Sequence, residues 1–283
     1  MPALRSVAAG LLVLLPFGSA NAAESYDNCS AFIDALPAVI STQGVWCLRS
    51  DLATKFESGY ALTVATNNVT IDGNDFKSGN LAASDANGAA AMYALHRNNF
   101  TVRRCNLRGF GAGVYTAGSG AGVVVEDNRV DNAQYYGLYI GAATGTVRRN
   151  TIVDTISTQW ATGIHAEGDL DIVDNTIDTV ESGDAVFTYG IEVSFDRSAS
   201  VRRNTIRNVL NPAPGATVAA IRMSSTLSEG LVDDNFLVDA PVDPASVPTG
   251  VLCAGGTVVA RRNVVVGFDE DVFNCASYDN ILR

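Results

Sequence analysis

The chain has 283 residues, of which 47% are hydrophobic and 17% charged, and its formal net charge is −11. A chain of this length buries a full hydrophobic core, either as one elongated domain or as two small ones. The acidic excess argues against nucleic acid and anionic membranes as partners, because both repel negative charge.

The first 22 residues have the pattern of a secretory signal peptide. Arg5 precedes an apolar run from Val7 to Phe17, and the small residues Ala20-Asn21-Ala22 form a cleavage site. Later apolar stretches are too short to cross a bilayer, so we expect no membrane span. The sequence therefore predicts a secreted or periplasmic protein whose mature chain begins near Ala23.

The five cysteines suit an oxidising compartment. Cys29 and Cys47 flank a short N-terminal segment, which we expect them to close as a disulfide. Cys253 and Cys275 occupy equivalent positions of the last two repeats, so their Cα atoms should lie one strand spacing apart, within disulfide range. Cys105 is expected to be a buried free thiol. No Cys/His cluster in the sequence indicates a metal site.

A short strand of Gly-hydrophobic-x-hydrophobic pattern recurs along the chain. Its copies are GVYTA (113–117), GLYIG (137–141), GIHAE (163–167), GIEVS (190–194), AIRMS (220–224) and GVLCA (250–254). Strand alternation sends Ile164 and Ala166 inward and sends His165 and Glu167 outward. After a bend, each copy is followed by two more short strands. The connections are too short for helices, so the repeats must wind as a coil of parallel strands.

A ladder of asparagines marks the corner between the second and third strands. Its positions are Asn74, Cys105, Asn128, Asn150, Asn175, Asn204, Asn235, Asn263 and Asn280. The preceding residue alternates between Arg and Asp after Gly73, in the order Arg104, Asp127, Arg149, Asp174, Arg203, Asp234, Arg262 and Asp279. Columns that persist through repeats of roughly 20 to 30 residues indicate a solenoid. Each Arg should face Asp on the turns above and below, in pairs worth about 0.2–1 kcal/mol.

This Asn ladder, the xVxxNxI corner and the Gly-hydrophobic strand resemble the right-handed parallel β-helix proteins of the pectin-lyase-like superfamily. The resemblance covers about residues 60 to 283 and implies an all-β, right-handed parallel β-helix of three-strand coils with about eight turns. The lead-in from Cys29 to Leu52 resembles the N-terminal cap of many bacterial members. We therefore expect a signal peptide at 1–22, a cap at 23–59 and the β-helix at 60–283, in a monomeric protein.

The bend between the third strand and the next first strand grows along the chain. It has five residues from Arg108 to Ala112, twelve from Asp178 to Tyr189 and thirteen from Arg207 to Ala219, and a Pro-rich bend covers 238–249. In the superfamily, loops at this bend wall a cleft over the first strand. Long loops of solenoids gather on the functional face, so we expect the functional site there.

The outward positions of the first strand form one row of candidate functional residues. From turn to turn the row contains Tyr93, Tyr115, Tyr139, His165, Glu192, Arg222 and Leu252. The three tyrosines would bind substrate as a platform on which sugar rings stack. The catalytic candidates are His165 as a proton acceptor, Glu192 as an orienting carboxylate and Arg222 as a charge that stabilises an anion. Glu167 and Tyr139 would assist them.

The resemblance implies several chemistries, none of which the motifs single out. Lyases of the superfamily use a Lys or Arg base, commonly with calcium, but this chain has only Lys55 and Lys77, both early. The base would then be Arg222, His165 or Tyr139. The Asn-Thr-Asp, Asp-Asp and Gly-His-Gly motifs of polygalacturonase-like hydrolases do not surround the first strand. The Asp-Pro-His motif of mannuronan-epimerase-like members is absent from the sequence.

A hydrolase and a calcium site each need carboxylates, and both stay open. Glu167 and Glu192 fall on adjacent turns, where either carboxyl separation used by glycosidases is conceivable. Asp169, Asp184 and Asp196 lie in the flanking bends and offer oxygen ligands for calcium.

Two functions remain as alternatives. The first is an exported, carbohydrate-active protein, a polysaccharide lyase or hydrolase, that binds an extended glycan along the first-strand face. The second is a non-catalytic surface, adhesive or structural β-helix whose polar columns only pair with one another. A cleft with shifted pKa values would favour the first, and a flat, fully paired face would favour the second.

Overall fold

The computed structural model describes residues 26–183, 187–194, 198–224, 229–239, 247–255 and 257–283. Within these ranges all regular elements are β-strands, which we number β1 to β29 in chain order. They pair in parallel and form one sheet of 19 strands and one of ten. The predicted all-β parallel coil is confirmed. The predicted signal peptide lies outside the described residues.

Three columns of strands stack along the coil. The first-strand column contains β2 (Ala38–Ile40), β5 (Tyr60–Val64), β8 (Ala90–Leu95), β11 (Ala112–Ala117), β14 (Tyr136–Arg148), β16 (Ala161–Val173), β18 (Phe187–Ser194), β21 (Thr217–Met223), β24 (Val247–Cys253) and β27 (Glu270–Phe273). The second-strand column contains β1 (Ala31–Ile33), β3 (Gly44–Leu48), β6 (Val69–Asp72), β9 (Phe100–Arg103), β12 (Ala121–Glu126), β19 (Ala199–Arg202), β22 (Gly230–Asp233), β25 (Val258–Arg261) and β28 (Ala276–Tyr278), with the second halves of β14 and β16.

The third-strand column forms the ten-stranded sheet. It contains β4 (Leu52–Ala53), β7 (Lys77–Gly79), β10 (Asn106–Arg108), β13 (Arg129–Ala133), β15 (Thr151–Ser157), β17 (Thr176–Ser182), β20 (Thr205–Leu210), β23 (Phe236–Val238), β26 (Val264–Val266) and β29 (Ile281–Leu282). Inward side chains of all three columns form one continuous core, in which Ile164, Ile177 and Ile172 are fully buried. No helix among the described residues is long and apolar enough to cross a membrane.

The bend predicted after Glu167 does not interrupt the strand, because β16 continues through it to Val173. Gly168 makes this possible with a φ of 127°, and a Cβ there would lie 1.6 Å from the carbonyl oxygen of Ala142. The sheet register shifts at the same level, between Gly141 and Thr144. A glycine bulge therefore replaces the predicted bend.

The long bends between the third and first strands are also shorter than predicted. β17 continues to Ser182 and β18 already begins at Phe187, while β20 continues to Leu210 and β21 begins at Thr217. Much of each predicted loop is therefore strand. Most of the Pro-rich bend, residues 240–246, lies outside the described residues.

The asparagine ladder forms a buried chain of hydrogen bonds. In the middle of the coil, the Asn175 Oδ1 accepts from the backbone N–H and from the Nδ2 of Asn150, each at 3.0 Å. The Asn175 Nδ2 donates to the carbonyl oxygen of Val147 at 2.9 Å and to the Oδ1 of Asn204 at 3.0 Å. Because these atoms are sealed from water, the ladder satisfies the backbone groups of the corner.

The Arg/Asp column before the ladder has a backbone role that the sequence pattern did not predict. All eight of its Arg and Asp members have left-handed φ values between 50° and 59°. The Arg side chains bind carboxylates of the preceding turn only, as in Arg149–Asp127 at 2.7 Å and Arg203–Asp174 at 2.8 Å. The carboxylate of the following turn still attracts each Arg by charge, as Asp174 does Arg149, so the column faces opposite charge on both sides but forms hydrogen bonds on one.

A second left-handed column runs through the third strands and leads to a stability prediction. Its members are Asn132, Asp154, Thr179 and Asn208, with φ values between 54° and 60°. Left-handed backbone suits Asn and Asp but strains a β-branched residue, so Thr179→Asn is expected to raise the free energy of unfolding by about 0.5–1 kcal/mol. Urea denaturation measures the change.

The reverse substitution, Asn208→Thr, is the matched control. It introduces the same strain and removes the hydrogen bond from the Asn208 Nδ2 to the Asp178 Oδ1 at 2.8 Å, so it should destabilise the protein. Destabilisation by Thr179→Asn would contradict the assignment of strain to this column.

Both predicted disulfides are confirmed. Cys29 and Cys47 are bonded with their Cα atoms 5.8 Å apart, and Cys253 and Cys275 are bonded with theirs 5.3 Å apart. Cys105 is free and buried, as predicted, and burial raises the pKa of its thiol. Its backbone N–H still donates to the Oδ1 of Asn128, so the ladder continues past it on the backbone side.

Candidate functional site

Strand pairing brings the predicted row together in the predicted order. Each member lies directly opposite the next one in the parallel register, from Tyr93 through Tyr115, Tyr139, His165, Glu192 and Arg222 to Leu252. Parallel strands lie about 4.7–4.9 Å apart, so neighbouring side chains in the row are in contact range. The roles of these residues in catalysis and binding remain predictions.

The aromatic half of the row is a nearly continuous stack of rings. Tyr115 stacks on Tyr139 with ring centroids 4.3 Å apart, and Tyr139 stacks on the His165 imidazole at 4.6 Å. Tyr60 extends the row by stacking on Tyr93 at 3.8 Å. The step from Tyr93 to Tyr115 is wider, at 6.0 Å with the planes tilted by 30°. The stack ends on the ionisable residues.

An aromatic cavity of about 370 Å³ lies beside this stack. Its walls are Tyr60, Gly88, Ala90, Tyr93, Gly111, Ala112, Tyr115, Ala117, Tyr135, Tyr136 and Trp160. Tyr136 joins the cavity to the ionisable residues, since its ring meets the His165 imidazole edge-on at 5.6 Å. The glycines and alanines of the wall leave the space that the aromatic rings surround.

Sequence reasoning missed four aromatic residues of this cavity: Tyr60, Tyr135, Tyr136 and Trp160. Tyr60 begins its strand three residues before the row position, and the other three lie at or just before the start of a first strand. Reading only the outward alternation of each strand therefore left them out. Clustering of aromatics just before the Gly-hydrophobic motif, in YYG and QWATG, was the available signal.

The ionisable half of the row is a chain of hydrogen bonds centred on His165. The His165 Nδ1 lies 2.8 Å from the Glu192 Oε2, and its Nε2 lies 3.0 Å from the Glu167 Oε1. The Tyr139 hydroxyl donates to the same Glu167 oxygen at 2.6 Å, and Arg222 donates to the Glu192 Oε1 at 2.5 Å. His165 and Glu192 are buried, while the Glu167 side chain keeps 26% of its surface exposed.

The two carboxylates keep His165 protonated. Burial alone would lower the pKa of the imidazole, but hydrogen bonds and charge attraction from Glu167 and Glu192 outweigh it and raise the pKa to about 9. At neutral pH the ring is therefore an imidazolium that donates from both nitrogens. The predicted role of His165 as a proton acceptor would require the neutral ring, and it stays a prediction.

The pKa values of groups near His165 and Arg222 are also shifted from their ordinary values. Burial would raise the pKa of Glu167, but the hydrogen bonds from His165 and Tyr139 lower it, so Glu167 is ionised at neutral pH. Burial and the bond to Glu167 raise the pKa of Tyr139. Burial also raises the pKa of Tyr189, whose ring lies 5.2 Å beneath the Arg222 guanidinium, to about 12.

Gly141 gives the Glu167 carboxylate its room. A Cβ at position 141 would lie 3.3 Å from the Glu167 Oε2 and 3.2 Å from the carbonyl oxygen of Thr116. Both approaches are tighter than ordinary van der Waals contact. Gly141, which lies opposite Glu167 in the strand register, therefore leaves space for the Glu167 carboxylate.

A larger groove, of about 850 Å³, runs along the second-strand column on another face. Its walls are small or apolar side chains such as Val124, Thr146 and Leu231. Asp169, Asp171 and Glu229 also line it, and Asp171 accepts from Arg202 at 3.1 Å and from the Ser200 hydroxyl. We place the candidate site in the smaller aromatic cavity, because that cavity adjoins groups with perturbed pKa values.

The calcium alternative gains no support from the residues that the structure describes. They include no group of three or more His, Cys, Asp or Glu side chains that could hold a metal ion. Asp169 accepts a hydrogen bond from the backbone N–H of Ser198 at 3.0 Å. Asp184 and Asp196 lie outside the described residues.

Comparison with known proteins identifies the coil. The family described as "Right handed beta helix region" matches residues 53–206. No curated protein sequence is similar enough to match this chain. Among solved structures, DFA-IIIase from Arthrobacter chlorophenolicus A6 in complex with GF2 is similar, with 12% identity, a TM-score of 0.49 and coverage of 83% of this chain and 69% of that chain. The mannuronan C-5 epimerase AlgE6 A-module from Azotobacter vinelandii is also similar, with 12% identity, a TM-score of 0.38 and coverage of 89% and 87%.

Proposed function

Because this chain belongs to the right-handed β-helix family, whose stacked strands present one long face, we propose that it is an exported carbohydrate-active protein that binds an extended glycan along its first-strand column. The observation that carries the proposal is the aromatic cavity whose wall residue Tyr136 contacts the His165 ring edge-on. Tyrosine rings stack well against sugar rings. The two disulfides fit an oxidising compartment, which supports export.

The geometry favours hydrolysis over elimination. Elimination needs an unprotonated base, and none of the three candidates fits this role at neutral pH. His165 is charged, Arg222 is bonded to Glu192, and the pKa of Tyr139 is raised. Glu167, in contrast, is an ionised and partly exposed carboxylate, which suits a general base or nucleophile in glycoside hydrolysis.

The remaining residues of the cluster then have distinct tasks. The imidazolium of His165, which lies 3.0 Å from Glu167, is the proton source of the cluster. Glu192 stabilises that imidazolium from its other nitrogen, and Arg222 neutralises Glu192. Tyr139 orients the Glu167 carboxylate through its hydroxyl. Such positioned acid–base groups contribute about 10²–10⁴ in rate.

One observation favours a second candidate, a non-catalytic glycan-binding or structural module. All five side chains of the cluster are paired with one another, and His165 and Glu192 are each only 8% exposed. Paired columns of this kind stabilise stacked strands without any reaction. In this case the aromatic cavity would bind sugar but release it unchanged.

An activity screen with matched variants tests the proposal. Purified protein is incubated with uronate and neutral polysaccharides, with and without calcium, and new reducing ends and unsaturated-product absorbance are followed. We expect reducing ends without unsaturated product, and a loss of about 10²–10⁴ in rate for Glu167→Gln and for His165→Gln. Glu181→Gln, which changes a glutamate of the third-strand column, should retain the wild-type rate.

Each other outcome of the screen has a definite meaning. Unsaturated product that disappears in His165→Gln would replace hydrolysis with elimination. Binding without any product would favour the non-catalytic module. An absence of both binding and product would refute the assignment of a glycan site to this face.

A further inference from the structure

We propose that the glycan is uncharged where it occupies the aromatic cavity: the site is built for neutral sugar rings and rejects uronates. This inference rests on the proposed function and specifies its substrate class.

The part of the wall that the structure describes contains no charged side chain of either sign. It consists of five tyrosines, one tryptophan and five glycines and alanines. A uronate carboxylate that enters such a space exchanges water for aromatic and methyl groups. An unpaired charge is then desolvated at a cost of several kcal/mol. A neutral ring incurs no such penalty, and its C–H faces stack on the aromatic surfaces.

The two cations of the row, His165 and Arg222, already form ion pairs with carboxylates of the protein. The His165 imidazolium is shared between Glu167 and Glu192, and Arg222 is bonded to Glu192 while its guanidinium covers the Tyr189 ring. Neither Lys55 nor Lys77 is among the described wall residues, and Lys77 binds Asp51 on the third-strand side of the coil.

The electrostatics at the inner end of the row point the same way. Glu167 is the most exposed carboxylate of the cluster, and it is ionised at neutral pH. The full chain adds a formal net charge of −11. Two like charges 4 Å apart repel by about 1 kcal/mol even in bulk water, and by about 4 kcal/mol near a protein surface. A uronate carboxylate beside Glu167 would therefore be repelled by it, and the His165 imidazolium 3.0 Å from Glu167 offsets part of this repulsion.

Matched oligosaccharide pairs test the inference by isothermal titration calorimetry. Gluco-, galacto- and manno-oligosaccharides are each compared with the uronate oligosaccharide of the same linkage and length, at low and at physiological salt. We expect the neutral member of a bound pair to bind at least ten times more tightly, with little dependence on salt. Tyr115→Ala should weaken this binding about tenfold, because it removes the centre of the ring stack.

A variant that introduces a positive charge tests the substrate preference without relying on the weaker binding of Tyr115→Ala. Ala117 lies at the cavity wall and is partly exposed, so Ala117→Lys supplies the missing cation. It should shift the preference toward the uronate member by tenfold or more, and Ala117→Gln should not. Tighter binding of uronates by the wild type would overturn the inference and leave the proposed glycan site standing. Absence of binding by both members of all three pairs would overturn both proposals.

Discussion

Replacing Asn175 by alanine is expected to lower the free energy of unfolding by about 3–5 kcal/mol, because it breaks the buried ladder at its centre. The backbone N–H and the Nδ2 of Asn150 lose their shared acceptor, and the carbonyl oxygen of Val147 loses a donor. All of these groups are sealed from water, so the lost partners are not replaced. Urea or guanidinium unfolding, followed by far-UV circular dichroism, measures the change.

Asn280 provides the matched control, because it makes the same bonds at the last turn of the coil. Its Oδ1 accepts from the backbone N–H and the Nδ2 of Asn263, but the site is only part-buried. Water can therefore replace the amide in Asn280→Ala, and the loss should be about 1 kcal/mol. Equal losses for both variants would show that burial does not set the strength of the ladder.

The protein is expected to lose about 3 kcal/mol of stability as the pH rises from 6.5 to 9, through the deprotonation of His165. The pKa of this group is about 9 in the folded protein, against 6.5 for an ordinary histidine. Its contribution is therefore fully present below pH 6.5 and disappears as the pH passes through 9. Chemical denaturation at closely spaced pH values gives the slope.

Two histidine variants isolate the effect, since the chain has only two histidines. His165→Gln should remove the slope between pH 6.5 and 9, whatever its effect on absolute stability. His96→Gln should keep the slope, because His96 lies on another turn, where its Nδ1 accepts from the backbone N–H of Ser119. Other titratable groups, such as Cys105, are present in all three proteins, so their effects on the pH dependence of stability cancel in the comparison. An unchanged slope in His165→Gln would refute the imidazolium assignment.

The fold was predictable because solenoid repeats leave their register in the sequence. One column of the sequence shows which residues lie at the same corner of successive turns: Asn150, Asn175 and Asn204. The neighbours of other strand residues then follow by counting along the strands. Ile164 and Ala166 are fully buried and both disulfides form, as that register requires.

Backbone conformation at the corners was not predictable in the same way. The alternation of Arg and Asp suggested side-chain pairing, but it does not state that Arg104 or Arg149 adopts a left-handed φ. Arginine has no intrinsic preference for that region, so the conformation is imposed by the ladder that follows. Tertiary structure there overrides the local tendency of the residue.

For the candidate site, too, the sequence predicted which residues are neighbours but not their chemical state. Register placed His165 beside Glu192 and Arg222, and the structure brings them into hydrogen-bond contact. The protonation of His165 depends on burial and on two carboxylates at specific distances, neither of which a sequence states. Trp160 lies on the approach to its strand, where no alternation rule indicates the direction of a side chain.

At the corners, each ion pair joins an Arg to the turn before it, and this has a consequence for how many turns can be added or removed. Arg149 binds the turn before it through Asp127, and Arg203 binds the turn before it through Asp174. Deleting a single turn, such as that of Asp174, would place two arginines on adjacent corners, whereas deleting or duplicating two turns together preserves the alternation. Adding or removing coils in doublets therefore keeps opposite charges on neighbouring corners, whereas a change by one coil places like charges together.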